Sequence, residues 1–380
     1  MRDSGHLGIE FRRLPVHLIL GNSECPRIIV IQEQLAEGIV EHAPSIVEGR
    51  EFYIPHKAVV CETTETTKLR VVYDASAPAW DGVPSLNECL NTGLPLQNKL
   101  WGVLVRGRFN PVALTGDIKK AFLQVRIKSK DRDALRFHWL KDVETKEVET
   151  LRFTRALFGL APSPFFLAEV IEQHLEAWSH KRPEVVSEIK KNLYVNDLIS
   201  GGTTSRAKEM KTAAKEVFAD GTFELHKWHS NVPELESPET SDSRGEQTFA
   251  KQQLGVAGGG GALLGLKWAL AQYQEPISKL SLHVFGDASG QGVVAVAYTV
   301  VSQPSGFTQG IVAAKAHLAK QGLTIPGLEL VATHMAANLA KHVREALEGH
   351  PVDGVYCWSD STVAIHWIRG EGEYKQFVHN

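Results

Sequence analysis

The sequence predicts an α+β fold in two parts, and three observations predict it. Strand-like runs separated by turn residues dominate Glu51 to Val125, and a helical stripe occupies Pro164 to Trp178. From Asn231 to Gly261 the composition turns to Pro, Glu, Ser, Thr and Asp, after which strand and helix patterns resume. The 380 residues are 43% hydrophobic and 22% charged, which suits two or three globular domains with a sizeable core.

Each element follows in order. Phe52-Tyr53-Ile54, Ala58-Val59-Val60, Leu69 to Tyr73 and Val112-Ala113-Leu114 are apolar or β-branched runs that read as strands. Ser163 stands as N-cap and Pro164 at the first helical position, ahead of Phe165, Ala168, Ile171, Leu175 and Trp178 at three- and four-residue spacing. The row Gly258 to Gly261 closes a segment read as a flexible linker and domain boundary, which implies loose placement of the parts it joins. Beyond it, Leu282 to Phe285 and Gly292 to Val301 read as strands. Leu328 to Leu347 reads as a long helix with Leu330, Met335, Leu339, Val343 and Leu347 inward, Val355 to Trp358 as a strand, and Ser361 to Ile368 as a short helix.

Several function classes recede at this level. No apolar run approaches the roughly eighteen residues of a membrane span, and Met1 to Arg13 has no apolar signal-peptide core, so the chain reads as intracellular with no membrane partner. Cys25, Cys61, Cys89 and Cys357 are scattered without a Cys-x-x-Cys pair, which argues against a disulfide framework and a zinc site and leaves buried or idle thiols. A net charge of −3 gives no global pull toward nucleic acid, so such binding would depend on local clusters such as Arg106/Arg108 or Lys128/Lys130/Arg132.

Two groups of acids carry candidate chemistry. Tyr194-Val195-Asn196-Asp197 lies between apolar residues and Ser200-Gly201-Gly202, where a hairpin tip can present polar side chains, and Asp117 ends the run Val112-Ala113-Leu114. Divalent ions need hard oxygens fixed by backbone, and strand ends or tight turns supply that rigidity. The second group is Asp287 after His283-Val284-Phe285-Gly286, Glu329 in Pro326-Gly327-Leu328-Glu329, and Asp360 after Tyr356-Cys357-Trp358-Ser359. Singly each has a plainer reading: Asp117 and Asp287 as turn formers, Glu329 as a solvent-facing helix residue, Asp360 as a helix N-cap.

The segments Tyr53 to Val59, Thr67 to Ser76, Ser85-Leu86-Asn87, Asp117 to Val125, Phe158 to Phe165 and Tyr194 to Gly201 resemble, in order, the motifs of BEL/Pao-type retrotransposon reverse transcriptases. Asp287, Glu329 and Asp360 with their flanks resemble the ribonuclease H domain of the same elements. The resemblance implies right-hand polymerase fingers and palm, followed by a mixed α/β ribonuclease H-like domain. Its bounds are an N-terminal segment and fingers at 1–110, palm at 111–230, a linker with a primer-grip-like turn at 231–276, and the nuclease-like domain at 277–380. It further implies Asp117 and Asp197 as palm metal ligands, with Asn196 at the catalytic tip. Lys68 and Arg70 become the cations at the triphosphate, Phe122 the residue that crowds a ribose 2′-hydroxyl, and Gly159 a point of close approach to nucleotide or template. Asp287, Glu329 and Asp360 become metal ligands of the nuclease site. Each site would take two Mg2+ or Mn2+ ions, with RNA or DNA template-primer and dNTP as partners and the cytoplasm as location.

The chain departs from that pattern in three places. Asn196 stands where the family has the more important of two adjacent aspartates, and losing one unit charge near a cation forfeits about 4 kcal/mol at about 4 Å and an effective dielectric of about 20. Leu264 to Trp268 resembles the primer-grip turn, yet only Ala269 to Ser281 separates it from the nuclease strand, too short for the family's thumb. The sequence ends at Phe377-Val378-His379-Asn380, where the pattern would continue into a helix with a fourth acid, so the nuclease-like domain is expected to be C-terminally truncated. Three readings stay open: an RNA-directed DNA polymerase with ribonuclease H, an impaired nucleic-acid-binding remnant of one, and a gene-model artefact with no stable fold.

Overall fold

The computed structural model describes residues 31–47, 49–62, 67–141, 145, 147–236, 262–263, 266–267, 273 and 275–370. In chain order its strands are β1 (Val40–His42), β2 (His56–Glu62), β3 (Thr67–Tyr73), β4 (Val112–Ile118), β5 (Arg136–Leu140), β6 (Val148–Phe153), β7 (Leu193–Tyr194), β8 (Asp197–Gly202) and β9 (Leu225–Ser230). They continue with β10 (Ala262–Leu263), β11 (Leu266–Lys267), β12 (Lys279–Ala288), β13 (Gly292–Gln303), β14 (Gly306–Leu318) and β15 (Val352–Trp358). The principal helices are α1 (Leu100–Gly107), α2 (Ser163–Trp178), α3 (Pro183–Asn192), α4 (Thr204–Asp220), α5 (Ile325–Ala346) and α6 (Thr362–Arg369). By its internal contacts the chain divides into two units, one built from Met1–Glu62, Thr67–Leu86 and Ile127–Arg155, the other from Thr63–Thr66, Asn87–Arg126 and Ala156–Asn380.

The first unit holds the antiparallel sheet β1-β6-β5 and the hairpin β2-β3. Its centre is Asp133, fully buried and bound to Arg136 at 2.9 Å and Arg152 at 2.8 Å, with Glu41 and Glu51 on the outer sides of the two guanidiniums. Buried charge survives only when paired in this way. The strand expected at Phe52-Tyr53-Ile54 is absent as such: Tyr53 makes a single bridge to Arg136, and its flanks bond Asp133 in the 3-10 turn Ser129–Leu135 and Arg136 at the start of β5.

In the second unit the sheet β7-β8-β4-β9 is antiparallel throughout. Helices α3 and α4 turn Val185, Val186 and Ile189, and Ala207, Met210, Ala214 and Val217, into the core. Helix α2 begins at Ser163, so the N-cap position falls on Pro162, and the Ser163 hydroxyl donates to the Leu157 carbonyl at 2.6 Å. Its buried stripe is Leu167, Ile171, Leu175 and Trp178, while Phe165 and Ala168 are half-buried.

The same unit continues into the sheet β14-β13-β12-β15, in which only the β12–β15 pair is parallel. Helix α5 covers one face: Leu328, Ala332, Met335, Ala336, Leu339, Ala340 and Val343 meet Leu280, Leu282 and Val284 of β12 and Val293, Ala295 and Ala297 of β13. Gly286 lets strand and helix touch, since a Cβ there would lie 2.7 Å from the Ala332 carbonyl oxygen. Leu330, expected inward, is only half-buried. Val105 and Phe109, at the end of α1, belong to this same core; the Phe109 ring lies 5.3 Å from Tyr273 and 5.5 Å from His350. That packing differs from the loose placement a Gly-rich tether implies. The linker glycines lie outside the described residues, as do Leu264, Gly265 and Trp268 of the primer-grip-like turn, whose flanks pair as β10 and β11. Among the described residues, no helix is long and apolar enough to cross a membrane.

Candidate functional site

The first cluster forms on the sheet β7-β8-β4-β9. Asp117 is the penultimate residue of β4 and stands in register with Asp197 of β8 on one side and His226 of β9 on the other. Val195 and Asn196 make the two-residue turn between β7 and β8. Val195 adopts φ +55°, a left-handed conformation that costs a β-branched residue about 1–3 kcal/mol. The Ile118 amide, donating to the Asn196 carbonyl at 2.9 Å, fastens the turn to β4. Asn196 Nδ2 donates to Asp117 Oδ1, and His226 Nε2 lies 2.9 Å from Asp117 Oδ2, where the acceptor-only carboxylate requires Nε2 to carry the proton. Asp197 is half-buried; burial first, and the Asp117 charge second, push its carboxyl up to about 7.

His226 is a site residue that sequence reading missed. It reaches Asp117 through a bulge: the pairing shifts between Thr115 and Asp117, Lys227 takes φ +48°, and β9 gains one residue over β4. Trp228, almost fully buried, then lies over Gly116, where a Cβ would come within 2.9 Å of its ring. The sequence signal was the small residue Gly116 opposite a tryptophan, visible only once the two strands are paired.

Of the other residues assigned to nucleotide, Phe122 and Gly159 lie in the second unit and Lys68 and Arg70 in the first. Phe122 is buried in the short turn Ala121–Gln124 and meets the exposed Phe158 edge-on at 4.6 Å. Gly159 has φ +89°, which favours glycine, and its carbonyl accepts from Asn87 Nδ2 at 2.8 Å while Asn87 Oδ1 accepts from the Ala161 amide at 2.8 Å. Lys68 and Arg70 lie in β3, with side chains outside the described residues. The basic clusters are largely spent on the protein itself. Arg106 donates to Asn192 and the Lys191 carbonyl, Arg108 to the Val312 carbonyl at 3.1 Å, and Arg132 to the Ile127 carbonyl and Glu41. Cys89 and Cys357 are free and exposed, not buried.

The second cluster is of a different kind. Asp287 near the end of β12, Glu329 in α5 and Asp360 between β15 and α6 bring one carboxylate oxygen each within 4.8 Å of one another. Glu329 faces the sheet and is buried, not solvent-facing, and its Oε2 has no hydrogen-bond partner. Burial, then the charges of Asp287 and Asp360, raise its carboxyl above the usual range. Asp360 is not the N-cap of α6, because the Ser361 hydroxyl accepts from the Ala364 amide and takes that role. Three carboxylates and an unsatisfied buried oxygen are the donor set of a hard divalent cation. In the first cluster, by contrast, each Asp117 oxygen already accepts from a protein donor.

Residues 267–361 match the family of Pao retrotransposon-like RNaseH-like domains. No curated protein matches the sequence. Among solved structures, a foamy viral protease-reverse transcriptase in complex with RNA/DNA hybrid superposes with a TM-score of 0.54 at 17% identity, covering 94% of this chain and 51% of that one. The foamy viral enzyme in complex with double-stranded DNA gives 0.51 at 15% identity, over 94% of this chain and 79% of that one. The chain spans about half the length of the first of these and shares the fold of these reverse transcriptases.

Proposed function

We propose that the chain is the reverse transcriptase–ribonuclease H segment of a retroelement polyprotein, that it binds RNA or DNA duplex, and that its preserved chemistry is phosphodiester hydrolysis rather than polymerisation. One observation carries this reading: the partnerless Oε2 of Glu329, buried beside Asp287 and Asp360. A buried carboxylate oxygen without a donor is costly unless a cation meets it. Asp287, Glu329 and Asp360 would hold the ions, with the Ala288 amide, 2.8 Å from Asp287 Oδ1, fixing the first carboxylate. Two Mg2+ or Mn2+ ions bound there would supply an activated water and stabilise the leaving oxygen. In the palm, Asp117 and Asp197 remain as acids, but Asn196 brings a neutral amide in place of charge, which disfavours dNTP-bound metal and primer extension.

The test uses full-length protein, an RNA/DNA hybrid and a primed template, each with Mg2+ and with Mn2+. The reading predicts metal-dependent cleavage of the RNA strand, lost in Asp287→Asn and Glu329→Gln, and little primer extension. Robust extension without hybrid cleavage would overturn it.

A further inference from the structure

The two acid clusters differ in what already occupies their oxygens. Glu329 Oε2 has no donor, whereas Asp117 has a separate protein donor on each oxygen. Both of those donors are held by backbone features. Asn196 sits in a turn pinned by the Ile118 amide and by the left-handed Val195, and His226 is set by the Lys227 bulge and the burial of Trp228 against Gly116. A carboxylate with two such donors is satisfied without an ion.

We propose that the palm has replaced its divalent cation with a resident hydrogen-bond cage, in which Asn196 and His226 each hold one oxygen of Asp117, and that His226 is the positioning residue that keeps this carboxylate engaged. The inference rests on reading the palm as polymerase-derived, and it goes beyond the loss of one aspartate. Restoring the acid at position 196 removes only one of two donors. His226 still occupies the second oxygen. Imidazole can also ligate a transition metal through nitrogen, so Mn2+ is the stringent probe: it gives His226 its best chance to act as a ligand instead.

The experiment counts bound Mn2+ by the electron paramagnetic resonance of the free ion, using full-length chain with Asp287→Asn and Glu329→Gln to silence the nuclease cluster. In that background the cage predicts no stoichiometric Mn2+, and only weak binding after Asn196→Asp. Adding His226→Ala to Asn196→Asp should create a site about tenfold tighter than Asn196→Asp alone, whereas adding His226→Gln, which keeps a donor of similar reach, should not. Thermal melts of each variant establish that it is folded. Stoichiometric Mn2+ in the silenced parent overturns the proposal, as does binding by Asn196→Asp that His226→Ala weakens or leaves unchanged. Equal Mn2+ binding by the wild type and the silenced parent would instead strike the nuclease reading, so the two failures are distinguishable.

Discussion

Asp197→Asn probes the electrostatics of the palm without any need for activity. In the folded chain burial and the neighbouring Asp117 move the Asp197 carboxyl from an ordinary 3.8 to about 7. A carboxyl whose folded pKa is raised binds its proton more tightly in the folded state. Below pH 4 both states are protonated and there is no penalty; between pH 4 and pH 7 stability falls as pH rises, and above pH 7 the loss is complete. At about 1.4 kcal/mol per pH unit that window is worth at most ~4 kcal/mol, and solvent access to a half-buried group reduces it to about 2–3 kcal/mol. The amide carries no such penalty. In a chelating buffer, followed by circular dichroism, Asp197→Asn should melt about 5–10 °C above wild type at pH 8 and within a degree or two of it at pH 4.5. A difference that does not change with pH, or a variant less stable at pH 8, would refute the coupling of Asp117 and Asp197.

Four further outcomes follow from the structure. Glu329→Gln should stabilise the chelated protein by about 1–2 kcal/mol, since like charges 4.8 Å apart cost about 3 kcal/mol per pair before screening. The same variant should lose the Mn2+-induced stabilisation expected of the wild type, about 2.7 kcal/mol at a hundredfold excess over Kd. Phe109→Ala should cost about 3–5 kcal/mol and lower the melting of α5 and β12, because its ring closes the core they form, as read by hydrogen exchange. Asp133→Ala, which strands the Arg136 and Arg152 guanidiniums, should cost about 3–5 kcal/mol in urea titrations.

Much of this fold is written in local pattern. Strands with one buried face, such as β12 with Leu280, Leu282 and Val284 inward, repeat every second residue, and the long helix α5 repeats every third or fourth. Asp287, Glu329 and Asp360 were singled out by the resemblance of their flanking motifs, since each alone has a plainer reading. What distinguishes Glu329 is its buried, partnerless oxygen, a property of the packed helix that no sequence spacing gives. Sequence motifs pointed to Asp117, Asn196 and Asp197 but not to His226, since a single inserted residue at the Lys227 bulge decides which side chain of β9 faces Asp117. Strand β14 escaped detection for a related reason. It lies at a sheet edge with most residues exposed, so Gly306 to Leu318 carries no alternation to read. Arg106 and Arg108 looked like a basic patch because sequence cannot tell a guanidinium facing water from one facing carbonyls.

The most direct measurement is an anomalous difference map from a crystal soaked in Mn2+ with an RNA/DNA hybrid. Density for the ion among Asp287, Glu329 and Asp360, with none beside Asp117, is the predicted result. A pair of ions between Asp117 and Asp197, with Glu329 left bare, would contradict it.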